Sequence, residues 1–243
     1  MSATYVIGDM HGALKALQQL IERISPEKDD RFIFLGDYVD GWSESAQLIS
    51  WLMELEKQYT CIFIKGNHDA WCEAWLAGEQ PVQSWLQHGG TATAASYKHL
   101  SGKEKLHHLA FFNRMLNYYE DDHRRLFIHA GFASLHGPSH ERFQAMHYWD
   151  RTLWELAMCM DKRLKKDSRC YPKRLLLYDE IYIGHTPTLN YDETMPMNAV
   201  NVFNIDTGAA FTGRISAMNI ETKEVWQSDV VQMLYPDEKG RNN

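Results

Sequence analysis

The stretch Tyr5-Val6-Ile7-Gly8-Asp9-Met10-His11-Gly12 decides how this chain is read. A short β-branched and aromatic run has the pattern of a strand buried on both faces, and the polar, glycine-flanked residues after it sit where such a strand ends. The same design recurs four times. Phe32-Ile33-Phe34-Leu35 runs into Gly36-Asp37-Tyr38-Val39-Asp40-Gly41, and Cys61-Ile62-Phe63-Ile64 into Gly66-Asn67-His68-Asp69. Leu126-Phe127-Ile128 runs into His129-Ala130-Gly131, and Ile181-Tyr182-Ile183 into Gly184-His185-Thr186-Pro187. In open α/β sheets ligands gather beyond the carboxyl ends of the strands, so five such strands predict one shared site. A glycine beside each ligand-type residue lets the backbone turn sharply and approach a metal or an anion.

Helical patterns separate the first strands. Leu14, Leu17, Ile21 and Ile24 recur at helical spacing and stop at Ser25-Pro26; Ser43 to Gln58 repeats the design, with Ser43 placed to cap. The progression is a right-handed βαβ series. Towards the C-terminus, Val202–Asp206, Ile215–Ile220 and Glu224–Gln227 are strand-like with no room for helices between them, so they are expected to pair antiparallel. The fold class is therefore α/β, with two mixed β-sheets packed face to face and helices on the outer faces. Residues 1–243 are expected to form one domain, with a helical insert at about 70–120 and a polar tail from Pro236 to Asn243 that is expected to fray. The aromatics of the insert, Trp71, Trp75, Trp85, Tyr97, Phe111 and Phe112, have the spacing of core residues.

The motifs pool Asp, His, Asp, Asn, His and His, a ligand set suited to two metals. Carboxylate, amide oxygen and imidazole match manganese, iron, zinc or magnesium, and no motif contributes a thiolate. The four cysteines lack paired spacing and are read as reduced. A net charge of −7 argues against a nucleic-acid polymer as partner, with the basic stretches Lys162–Lys166 and Lys173-Arg174 read as solvated surface. No apolar run approaches the ~20 residues needed to span a membrane, and a first strand so close to Met1 leaves no room for a leader; a cytoplasmic location is the expectation.

In order and spacing, the motifs GDMHG, GDYVDG, GNHD, HAG and GHTP resemble those of the calcineurin-like metallophosphoesterases, specifically the phosphoprotein phosphatase branch and its compact bacterial and phage members. Trp85–Gly90 and Asn204–Ala209 also resemble those members. The resemblance implies the four-layer α/β/β/α metallophosphoesterase sandwich. It implies that Asp9 and His11 bind a first metal, that Asp37 bridges, and that Asn67, His129 and His185 complete the second. Manganese is the favoured pair of ions. It further implies direct attack of a metal-bridging hydroxide on phosphorus, with no phosphoenzyme.

On the same resemblance His68 is the general acid, oriented by Asp40, and Arg151 of Trp149-Asp150-Arg151 is the principal phosphate clamp, helped by Asn67 and Lys65. Arg142 is a weaker candidate. His88 lies in a loop that the resemblance places near the site, whereas His99, His107, His108, His123, His136, His140 and His147 are read as surface or helix-end residues. Two positions depart from the protein-phosphatase pattern: Gly41-Trp42 stands where an arginine usually follows the final Asp of the second motif, and Lys65 where an arginine usually precedes GNH. Trp42 is then available to stack on an aromatic leaving group. The implied function is a two-metal phosphomonoesterase acting on phosphorylated substrates in the manner of a Ser/Thr protein phosphatase. A dinucleoside tetraphosphate hydrolase is the alternative within the family, and a catalytically silent phosphate-binding scaffold the alternative from another class.

Overall fold

The computed structural model of the protein describes residues 2–242. Its strands form two mixed five-stranded sheets. In the first, β1 (Thr4–Ile7), β2 (Arg31–Phe34) and β3 (Thr60–Phe63) run parallel. In the second, β4 (Tyr118–Glu120), β5 (Arg125–Ile128), β6 (Glu180–Ile183), β7 (Met197–Ala199) and β8 (Val202–Asn204) are arranged β4-β5-β6-β8-β7, with parallel β5, β6 and β8 between antiparallel edges. β9 (Ser216–Asn219) and β10 (Val225–Gln227) return to the first sheet, giving β10-β9-β1-β2-β3.

The C-terminal strands thus pair differently from expectation. β9 and β10 are an antiparallel hairpin, but β8 joins the other sheet, parallel to β6. Phe203 of β8 stacks on Tyr182 of β6 at 5.1 Å, and Tyr182 on Phe127 at 4.9 Å, a row of rings that fixes β8 there. The edge strands β4 and β7 carry too little apolar sequence to announce themselves.

Strand periodicity explains the layering. Tyr5, Ile7, Phe32 and Phe34 face outward onto helices, whereas Val6, Ile33 and Leu35 face inward and pack with Phe127, Tyr182 and Ile205 between the sheets. Leu126, Ile128, Ile181 and Ile183 form the outer core of the second sheet. Helices α1 (Leu14–Ile24) and α2 (Ser45–Leu55) cover the first sheet; α1 buries Ala16, Leu17, Leu20, Ile21 and Ile24 and stops at Ser25 in a left-handed cap. Ser43 caps nothing, because its hydroxyl and amide are bound by Glu238.

The insert comprises α3 (Asn67–Leu76), α4 (Gln83–Trp85), a kinked turn at Leu86–Gly90, α5 (Thr91–Ser96) and α6 (Gly102–Asn113), the last opened by a reciprocal Ser101–Glu104 cap. α7 (Met146–Trp149) and α8 (Thr152–Met158) follow β5, and α9 (Val231–Leu234) precedes the tail. That tail is not frayed as far as Arg241: Tyr235 stacks on Trp42 at 5.3 Å and the Arg241 amide donates to the Ala210 carbonyl at 2.8 Å. Trp42 itself is fully buried, its indole N–H donating to the Ala209 carbonyl, so it cannot stack on a substrate. His108 and His147 are likewise buried rather than at the surface. All four cysteines are free thiols, and no helix among the described residues is long and apolar enough to cross a membrane.

Candidate metal centre

Four of the five strand-end motifs, three from the first sheet and one from the second, line one cavity of about 500 Å³, and His129 of the fifth is buried against their Asp37 and Asn67. Asp9, His11, Asp37, Asn67, His68, Arg151 and His185 line it. Its floor is made by backbone in uncommon conformations: His11, Asp37, Asp40 and His185 all have left-handed φ, between +50° and +73°. Such geometry persists in non-glycine residues only where the surroundings enforce it, and it clusters at functional sites. Gly66 and Gly184 show the close approach directly, since a Cβ on either would lie 2.1 Å from a carboxylate oxygen, of Asp37 and Asp9 respectively.

The donor atoms meet at short range. His11 Nε2 lies 3.8 Å from Asp9 Oδ2 and 3.7 Å from Asp37 Oδ2, and His129 Nε2 lies 3.4 Å from the same Asp37 oxygen. Asn67 Oδ1 faces His129 Nε2 at 3.2 Å and His185 Nδ1 at 3.0 Å. Two groups emerge around the shared Asp37, namely His11, Asp37 and His68, and Asp37, His129 and His185, each with its ligand-type atoms within 4.8 Å of one another. The far ring nitrogens are fixed: His11 Nδ1 donates to the Asp40 carbonyl at 2.8 Å and His129 Nδ1 to the Leu35 carbonyl at 2.8 Å, leaving each Nε2 turned to the cavity.

The electrostatics fit cations in this place. Burial pushes the Asp9 carboxyl well up, with Asp206 and Asp37 adding to the effect, so three buried acids crowd one place. Burial also raises Asp37, but His129, His68 and His11 outweigh it and hold that carboxyl well below its usual range. Burial pulls His129 down, and Asp37 with Asp9 reverses this, to about 10. His185 is pushed well down by burial, then by His129 and Arg151, and its buried Nε2 has no hydrogen-bond partner. Hard oxygen and imidazole donors, mutually strained in charge, suit a pair of divalent ions.

Around this floor the predicted pair is in place. His68 Nδ1 donates to Asp40 Oδ2 at 2.7 Å, and Asp40 is fully buried. Two partners that motif reading missed complete that carboxylate: Trp85 Nε1 donates to Oδ2 at 2.7 Å and Thr93 Oγ1 to Oδ1 at 2.7 Å. Asp69, the last residue of its motif, accepts the amides of Asp37, Tyr38 and Gly66 and so clamps two motifs together. Asp206, at the end of the Asn204-Ile205-Asp206 run, and Arg241, from the tail, also line the cavity.

Arg151 reaches the cavity, steadied by Thr186 Oγ1 at 2.9 Å, and His88 lies on its rim with Trp71, Trp149 and Phe211. Lys65 does not fulfil its expected phosphate contact. Its ammonium pairs with Glu73 at 2.6 Å, outside the cavity lining, because α3 places that carboxylate across from it. Arg142 is exposed, resting over Phe143 away from the site.

The profile of the calcineurin-like phosphoesterase family matches residues 3–209. A bis(5'-nucleosyl)-tetraphosphatase of the asymmetrical type from Oceanobacillus iheyensis is 26% identical over 237 residues, spanning 90% of this chain and 89% of its own. A symmetrical bis(5'-nucleosyl)-tetraphosphatase from Coxiella burnetii is 24% identical, spanning 93% and 92%. Among solved structures, a protein serine/threonine phosphatase from Saccharomyces cerevisiae superposes with a TM-score of 0.63 at 13% identity, over 100% of this chain and 84% of that one, a likeness of fold. The chain belongs to the calcineurin-like phosphoesterase family and is a metal-dependent phosphoric ester hydrolase.

Proposed function

We propose that this calcineurin-like phosphoesterase hydrolyses dinucleoside tetraphosphates, in place of the protein-phosphatase activity that the motif series first suggested. The observation that carries this is the whole-length likeness to two bis(5'-nucleosyl)-tetraphosphatases, each spanning about nine-tenths of both chains. The cavity agrees with it. Trp71, Trp149, His88 and Phe211 ring the metal-binding floor, and Trp149 meets Trp71 edge-on at 5.1 Å while remaining 41% exposed. An exposed aromatic wall beside a phosphate site suits a nucleobase, and stacking of this kind contributes ~1–3 kcal/mol per base.

Two divalent cations held by Asp9, His11, Asp37, Asn67, His129 and His185 would supply the activated water and offset phosphate charge, manganese being our choice. The chain's own residues do the rest. Arg151, held by Thr186, presents its guanidinium to phosphate oxygens, which it matches two at a time. Asp40 fixes the His68 ring through Nδ1, so that Nε2 faces the cavity. As the P–O bond to the leaving nucleotide breaks, His68 hands its Nε2 proton to the departing oxygen. A nucleotide phosphate, with a second pKa of about 6, needs that proton far less than a serine alkoxide does.

The test is a substrate panel on the manganese-loaded protein, with products separated by ion-exchange chromatography. Diadenosine tetraphosphate is expected to exceed a phosphoserine peptide in kcat/KM by roughly 10²-fold or more. Release of ADP alone marks symmetrical cleavage, and ATP with AMP asymmetrical cleavage. Preference for the peptide would return the protein-phosphatase reading.

A further inference from the structure

A cation that no motif announces stands inside the cavity. Arg241 lines it, with Nη1 donating to His68 Nε2 at 3.1 Å and the guanidinium carbon 5.2 Å from the Phe211 ring centroid. Its Nε is buried without a partner, and the contact with His68 is the one hydrogen bond of this guanidinium among the described residues. A guanidinium with most of its donors unspent, placed beside the carboxylate and imidazole floor of this cavity, is built to receive an anion.

The segment that brings it there is anchored at successive points. Tyr235 stacks on Trp42 at 5.3 Å, and the Glu238 carboxylate accepts the Ser43 amide at 2.9 Å and hydroxyl at 2.6 Å. Gly240, at φ +58°, passes so close to the Trp42 ring that a Cβ would lie 2.6 Å from it. The Arg241 amide then bonds the Ala210 carbonyl at 2.8 Å. Gly41 lies beside the arrangement: a Cβ there would meet the His11 carbonyl at 3.2 Å, His11 Cβ at 3.4 Å and Arg241 Cγ at 3.5 Å. A side chain at position 41 would thus grow between His11 and Arg241, and Trp42 serves as the post around which the tail is wrapped.

We propose that residues Tyr235–Arg241 form a strap that delivers Arg241 as a phosphate-binding residue beside His68, a second guanidinium in addition to Arg151. The proposal rests on the reading of this cavity as a phosphoryl-transfer site. Without phosphate, Nη1 rests on the neutral acceptor His68 Nε2. An arriving phosphate oxygen is a charged acceptor and bonds a guanidinium about twice as strongly, so the contact transfers to it and frees His68 Nε2 to take up, from water, the proton that it hands to the leaving oxygen.

The test uses the full-length, manganese-loaded protein turning over an aryl phosphate, with inorganic phosphate as competitive inhibitor. Arg241→Ala, and truncation after Lys239, are each expected to raise the phosphate Ki roughly 10–100-fold, with bound manganese unchanged and Arg241→Lys intermediate. A Ki within about twofold of wild type for Arg241→Ala overturns the proposal. So does tighter manganese binding as the sole change, which would make Arg241 a counter-ion to Asp9, Asp37 and Asp206. If truncation lowers Tm, Arg241→Ala alone decides. Because the readout needs neither base nor tetraphosphate, failure to cleave diadenosine tetraphosphate would sink the substrate assignment and leave this measurement intact.

Discussion

The floor of the cavity and its roof are built on opposite plans. The floor comes from loops at the ends of β1, β2, β3, β5 and β6, where left-handed φ angles at His11, Asp37 and His185 and close-packed glycines within the motifs set the local backbone. The roof comes from the insert and the tail, whose contributing side chains are set by packing across long sequence distances. Trp85 and Thr93 reach Asp40 from 45 and 53 residues away, and Arg241 reaches His68 from 173. Local backbone fixes which chemistry is possible, and long-range packing decides what that chemistry is offered.

The largest effect that sharpens this contrast is expected at the floor. His68→Asn removes the proton donor while leaving neighbouring Asn67 in place, and should cut kcat ~10²–10⁴-fold on an alkyl phosphate or phosphoserine peptide. On diadenosine tetraphosphate the loss should be at least about tenfold smaller, since the leaving phosphate needs less protonation. Metal content by elemental analysis should not change. Equal losses on both substrates would remove His68 from the role of acid.

Next comes a test of whether the roof acts on the floor. Trp85→Phe withdraws one N–H from the Asp40 carboxylate, a bond to a charged group worth ~1.5–3 kcal/mol, and leaves Thr93 and His68 attached. A drop of roughly tenfold in kcat is expected, with KM for diadenosine tetraphosphate held within about twofold. Trp75→Phe is the control, because Trp75 packs against Trp85 at 5.5 Å but lies outside the cavity lining. If both variants lose activity alike, Trp85 matters only as packing.

This division also explains what could be read before the structure was known. Every floor residue, from Asp9 to His185, sits in a motif whose glycine and strand context are visible within eight residues, and the two-sheet layering follows from period-2 runs such as Phe32-Ile33-Phe34-Leu35. The roof offered no such handle. Trp85 has the spacing of a core residue and is indeed buried, but nothing local says that its N–H ends on the Asp40 carboxylate. Lys65 has the right neighbours for a phosphate contact and is claimed by Glu73 two turns along α3. The tail has the composition of a frayed end, and contacts with Trp42, Ser43 and Ala210, distant in sequence, fix it as far as Arg241. Asp206 lay on the boundary, since its motif was visible and its place in the cavity was not.

The roof should also be the acid-sensitive part. His108 of α6 is buried, with its ring nitrogens facing Tyr97 Oη at 2.9 Å and Ser50 Oγ at 3.0 Å. Burial lowers its pKa to about 4, with Glu104 pulling upward and His107 downward. Between that value and the unfolded value of about 6.5, the unfolded chain binds more protons, so stability is full above pH 6.5 and is lost progressively as pH falls to 4. Allowing for screening, the loss is on the order of 2 kcal/mol. In metal-free protein His108→Gln should flatten the decline of Tm between pH 6.5 and 4.5 measured by calorimetry. An unchanged slope would place the acid sensitivity in the floor histidines that burial lowers, His11, His68 and His185, instead.

The smallest expected effect falls on a rim residue from α7, which stands between floor and roof, and it separates the two regions most cleanly. Trp149 is 41% exposed and stands edge-on to both Trp71 and His185, so it borders the floor without bonding to it. If it stacks on a nucleobase, Trp149→Ala removes about 1 kcal/mol, raising KM for diadenosine tetraphosphate about fivefold while kcat stays within about twofold. Inhibition by inorganic tripolyphosphate, which carries the same kind of charge and no base, should not move. A parallel rise in the tripolyphosphate Ki would mean that Trp149 shapes the phosphate floor through His185, and that the base is bound elsewhere on the rim, with Phe211 and His88 the residues to change next.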